Sequence, residues 1–157
     1  MQLKSGLIIE SVLPLELTQE QKIAVQQWID ALRSKKYAQG NLFLHSKDGS
    51  FCVLGVACDV FKDTTGVGAW VEDSEDHVFD FEVPREGKEP VRKSSFPPFR
   101  VWEHFGINAS SGVQARIEKA KHSRRFSLSE LSDQYADFEE LANILEIALK
   151  GPQHETK

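Results

Sequence analysis

Phe51-Cys-Val-Leu-Gly-Val-Ala-Cys-Asp-Val-Phe61 is the most apolar stretch of the chain, and its reading decides the fold. Val53, Ala57, Val60 and Phe61 recur at helical spacing, which predicts one central buried helix over residues 51–62. Lys47-Asp48-Gly49-Ser50 ahead of it has the composition of a turn, with Asp48 or Ser50 placed to cap the helix. A hairpin across Asp48-Gly49, with Phe51 to Leu54 as the returning strand, is the competing reading. The helix is preferred because its apolar residues gather on one side. Gly55 costs such a helix about 1 kcal/mol against alanine, but its missing side chain lets another element come close.

Working outward, Thr18-Gln-Glu-Gln21 is a capping-box pattern. It opens a helix over 19–38 with Val25, Trp28, Ile29 and Leu32 on its inner face and Gly40 as terminator. Before it, a short edge strand near 6–11 precedes Pro14, and after it Leu42 to His45 reads as a strand. Ala69 to Val71 and His77 to Phe81 read as two strands joined by the acidic turn Glu72 to Asp76. Residues 83–95, with Pro84, Gly87 and Pro90, show no period and read as a mobile surface loop. Pro97-Pro98 starts a short helix ending at Phe105, with Val101, Trp102 and Phe105 as its apolar side and Gly106 as its stop. Residues 107–126 are compatible with a strand or a short helix around Val113 to Ile117. Ser127-Leu-Ser-Glu130 and Asp137-Phe-Glu-Glu140 begin two last helices, the second stopped by Gly151-Pro152 before a frayed tail, 151–157. This order of elements predicts an α+β fold in a single domain, a small antiparallel sheet packed against several helices.

The bulk composition narrows the function classes. The chain has 157 residues, 40% hydrophobic and 27% charged, with a formal net charge of −5. Such a charge offers no global attraction to nucleic acid or to an anionic membrane. Two cysteines are too few for a disulfide framework, and six residues apart on one helix they cannot bridge. Free thiols point to a reducing, cytoplasmic setting. The Gly6-Leu-Ile-Ile9 run is interrupted by Glu10, too soon for a signal segment or a membrane span.

Two motifs resemble a group of small uncharacterised bacterial and bacteriophage proteins. One is Trp28-Ile-Asp-Ala-Leu-Arg-Ser34 through Tyr37-Ala-Gln-Gly40, and the other is Cys52-Val-Leu-Gly-Val-Ala-Cys-Asp59. Val101-Trp102 with Phe105-Gly106, and Leu128 to Ile147, are similar to later parts of the same pattern. The sequence departs from it at Val53, where the group often has a second cysteine, and at Ser132, where it often has asparagine. The resemblance implies a shared fold and a phage or mobile-element setting, and it carries no activity with it.

Cys52, at the predicted helix start, is the sharpest chemical candidate, since a helix N-terminus favours the reactive thiolate. Cys52 opening a helix and His77 beginning a strand resemble the layout of NlpC- and papain-like cysteine hydrolases, with His77 as base. The alternative is that Cys52, flanked by apolar residues, is a core thiol, as Cys58 is expected to be. No Cys or His spacing suits a metal, so neither metal nor cofactor is expected. The basic run Arg116, Lys119, Lys121, Arg124 and Arg125 is placed to contact phosphates, or else to sit in solvent opposite the acidic C-terminal region. Three functions therefore stand in order. The first is a phage- or mobile-element-type accessory protein that binds another protein. The second is a cysteine hydrolase using Cys52 and His77, and the third a nucleic-acid binder through residues 116–125.

Overall fold

A computed structural model describes residues 1–73, 75, 77–107, 114–119 and 122–150. The order of elements is β1 (Ile8–Val12), α1 (Gln19–Arg33), β2 (Ala38–Gln39), β3 (His45–Ser46), β4 (Ser50–Phe51) and α2 (Val53–Thr65). There follow β5 (Ala69–Asp73), β6 (Val78–Arg85), β7 (Lys88–Lys93), α3 (Phe99–Phe105), β8 (Gln114–Lys119), β9 (His122–Ser127), α4 (Leu128–Gln134) and α5 (Phe138–Lys150). The fold is α+β, as the sequence predicts.

The central helix forms. Every residue of α2 from Val53 to Phe61 except Asp59 is buried. Both competing readings of its start hold in part. A hairpin of two short strands does form, His45 pairing with Phe51, and the chain turns into the helix directly after it. Asp48 serves the turn instead of the helix, its Oδ1 accepting from the Ser50 N–H (2.9 Å) and hydroxyl (2.6 Å). Cys52 is the N-cap residue but makes no side-chain capping bond. That end is satisfied from α4 instead, where the Ser132 hydroxyl accepts from Val53 N–H at 3.3 Å.

Helix α1 lies against α2 and α5 and has the predicted capping box, Thr18 and Gln21 exchanging hydrogen bonds. Its buried face is Ala24, Val25, Trp28, Ile29 and Leu32. The Trp28 indole N–H donates to the Val53 carbonyl at 3.1 Å, and its ring packs on Phe105 at 5.2 Å. The helix ends at Arg33, earlier than the spacing predicts, because Lys35 takes a left-handed conformation (φ 64). Gly40 is therefore no terminator. A side chain there would meet the Ser50 hydroxyl, so glycine lets β2 run beside β4.

Two sheets flank the helices. One is antiparallel in the order β1-β8-β9, with β1 at its edge as predicted. The other runs β2-β4-β3-β6-β5, with β7 also on β6, and is antiparallel except for the short parallel pair β2–β4. Residues 83–95, expected to be a loop, form the end of β6 and all of β7. Only Val91 of β7 is even half-buried, so there is no apolar alternation to read. Residues 114–119 and 122–127 are a hairpin, which decides the strand-or-helix question for those positions in favour of strand. Pro98 is the N-cap of α3 instead of its first residue, and Gly106 closes that helix in the left-handed conformation. The predicted stop at Gly151-Pro152 and the tail lie outside the described residues. No helix among the described residues is long and apolar enough to cross a membrane.

Candidate functional site

Cys52 sits where the helix start was expected, but its thiol is buried at 4% exposure. Burial pushes it up to about 11, and the backbone hydrogen bonds from Gly55 and Leu54, which pull the other way, do not overcome that. Cys58 is fully buried and its thiol is likewise pushed up, chiefly by the same desolvation. His77 is exposed, on the turn before β6, with φ 59. The strand register separates the two candidates. Cys52 N–H bonds the Leu44 carbonyl, while the His77 carbonyl bonds Lys47 N–H, three residues and about 10 Å further along the same segment. The structure brings no imidazole of His77 to the sulfur, and a buried thiol with a raised pKa is not a nucleophile at neutral pH.

The basic run falls on β8 and β9. Arg116 pairs with Arg125, Ile117 with Arg124 and Lys119 with His122. Lys121 lies outside the described residues. Among the described residues, no three of His, Cys, Asp and Glu are placed to share a metal ion.

The two sequence motifs meet at the base of α2, and their residues build its seat. The Tyr37 hydroxyl donates to Asp59 Oδ2 (2.6 Å), and the Trp70 indole N–H donates to Oδ1 (3.0 Å). Burial, followed by the bond to Asp59, holds the Tyr37 phenol well above its usual range. Gln39 ties β2 to the C-terminal helices through the Ser132 and Ala136 carbonyls (3.3 and 2.9 Å). His45 stacks between Phe51 (3.8 Å) and Phe79 (4.5 Å), its Nδ1 3.0 Å from the Ser50 carbonyl. The Tyr37 hydroxyl, the Trp70 indole and both Asp59 oxygens are thus satisfied within the fold.

Elsewhere, three large apolar side chains lie exposed. Phe99 is 72% exposed, Leu42 64% and Phe96 55%. Leu42 holds a left-handed backbone (φ 71), a costly conformation for a branched residue. It is fixed there by Asp133, whose Oδ1 accepts from Leu42 N–H (3.0 Å) and whose carbonyl accepts from Asn41 (3.3 Å). The Leu44 N–H bonds the Ser94 carbonyl at 2.8 Å, tying this loop to the segment that carries Phe96.

Between β7 and α3 lies a cleft of about 640 Å³ lined by Arg92, Lys93, Phe96, Pro97, Phe99 and Trp102, with the Ser94 and Ser95 positions between. Trp102 is 5% exposed, and its indole N–H has no acceptor among the described residues. An unpartnered buried donor costs about 1–3 kcal/mol, so its retention next to a cleft calls for an account. Of these residues the sequence marks Trp102 alone, on the apolar side of its helix. The available signal was Phe99, which is apolar yet off the Val101-Trp102-Phe105 stripe of its own helix.

Fold and site together define a small α+β domain with a helical core between two sheets and an apolar cleft beside an edge strand. Residues 19–149 match the family described as a domain of unknown function, DUF8296, and the chain belongs to that family. No curated protein and no solved structure matches it.

Proposed function

We propose that this chain is a non-catalytic accessory protein of phage or mobile-element type that works by binding another protein. The observation that carries the reading is the exposed pair Phe96 and Phe99 lining the Trp102 cleft. Exposed aromatic anchors next to a pocket are the usual centre of a protein interface. The phage or mobile-element setting is supported by the sequence resemblance alone. The buried, protonated Cys52 and the distant His77 favour binding over hydrolysis.

Placing a photo-crosslinking phenylalanine analogue at Phe99 tests the reading in the cells that naturally carry the chain. A discrete product joining the chain to a second polypeptide is expected, and it should be absent when the analogue is placed at Glu20, an exposed position of α1. The same cross-linking pattern at both positions would sink the reading.

A further inference from the structure

We infer that the β7–α3 cleft takes a short extended segment of a partner protein in which an apolar side chain is flanked by carboxylates. The inference rests on the protein-binding reading and names the partner's chemistry.

Three observations converge on it. First, the charged side chains lining the cleft are both cations, Arg92 and Lys93, with no carboxylate among the lining residues, in a chain whose net charge is −5. Arg92 already bonds Glu82 at 2.6 Å, whereas Lys93 has no ion pair among the described residues. An incoming carboxylate is therefore met by Lys93. Second, the cleft is walled by Phe96, Phe99 and Trp102, which suits an apolar or aromatic side chain. Third, β7 pairs with β6 and has no second strand partner among the described residues. Its last residues, Arg92 and Lys93, form one wall of the cleft. An open strand edge offers a ladder of main-chain donors and acceptors that an extended peptide can continue as an added strand. Pro90 and the surrounding charges keep that edge from indiscriminate pairing, so specificity falls to the cleft.

The test is fluorescence anisotropy with a short labelled peptide carrying one phenylalanine between paired aspartates. Three controls accompany it: the same peptide with lysine for aspartate, the same peptide with alanine for phenylalanine, and a labelled oligothymidylate. The acidic phenylalanine probe should bind, with affinity falling as salt is added. Phe99→Ala and Lys93→Glu should each weaken it about tenfold or more. Both positions are exposed, so both variants should keep the parent's circular dichroism and melting temperature. The inference is overturned by no binding of the acidic probe at about 1 mM, or by equal binding of the lysine or alanine probe. It is equally overturned if oligothymidylate binds with the same dependence on Phe99, or if Phe99→Ala merely dissolves a self-association seen by sedimentation. Cross-linking at Phe99 that succeeds while the acidic probe fails would leave protein binding standing and remove only the acidic partner.

Discussion

At the scale of single residues, Gly55 and Cys52 show how strongly surroundings outweigh local rules. By helix propensity alone, Gly55→Ala should stabilise α2 by about 1 kcal/mol. A Cβ at 55 would instead overlap the Leu44 carbonyl, a backbone group held by its own bond from Cys52 N–H. Backbone cannot yield as a flexible side chain does, so the substitution should destabilise by about 2 kcal/mol or more. Urea unfolding decides the sign, and a rise in the midpoint would refute the close approach. For Cys52, the folded thiol is pushed up to about 11 from an ordinary value of 9.0. Between those values the unfolded chain releases a proton that the native chain retains. The stabilisation is therefore complete below about pH 9 and is lost as pH rises through 11. Melting temperatures taken between pH 8 and 11 should fall, and the fall should be shallower in Cys52→Ala. An unchanged slope in that variant would mean that the thiol is not the buried group responsible.

At the scale of elements, what the sequence makes legible is what burial writes into it. Helix α1 was readable because its apolar spacing coincides with a capping box that forms, and α2 because nearly all of its residues are inside. Strand β7 was not, since an edge strand with both faces largely in solvent needs no alternation, and Lys88, Glu89, Arg92 and Lys93 fill it with charge. The end of α1 was missed because a lysine, not a glycine, takes the left-handed turn. The site was the least legible part. Leu42, Phe96 and Phe99 look like core residues until packing leaves them out, whereas Cys52, which looked like chemistry, is core. Position 132 shows how an element is completed from elsewhere. The α2 N-cap makes no side-chain bond, and the buried Ser132 hydroxyl of α4 takes its place at Val53 N–H. Ser132→Ala should cost about 1–2 kcal/mol, as loss of a helix cap does. Hydrogen exchange should locate the damage at the first turn of α2, and uniform loss of protection with no local effect there would contradict this role.

At the scale of the molecule, the residues ahead of the family match are structural parts of the domain. Residues 1–18 precede the matched range 19–149, yet Leu3 and Ile9 are buried within the common core cluster. β1 zips antiparallel to β8, from Ile8 opposite Glu118 to Val12 opposite Ala115. Beyond it, Leu15 N–H reaches the Ala148 carbonyl of α5 at 2.9 Å, and Lys4 pairs with Asp137 just ahead of that helix. The N-terminal segment thus joins the hairpin sheet to the helix that packs most closely on α1. Exposing Leu3 and Ile9 alone costs about 3–6 kcal/mol, at about 1.5–3 kcal/mol for each buried aliphatic side chain. That is a large part of the roughly 5–15 kcal/mol by which domains of this kind are stable. A chain starting at Leu13 should therefore unfold at a far lower urea concentration than the full chain, with its α1–α5 amides losing hydrogen-exchange protection as well. If the shortened chain keeps the parent midpoint, the 19–149 range is the autonomous unit and β1 is an accessory strand. If it collapses as expected, the cooperative domain includes a strand that lies outside the family's matched range.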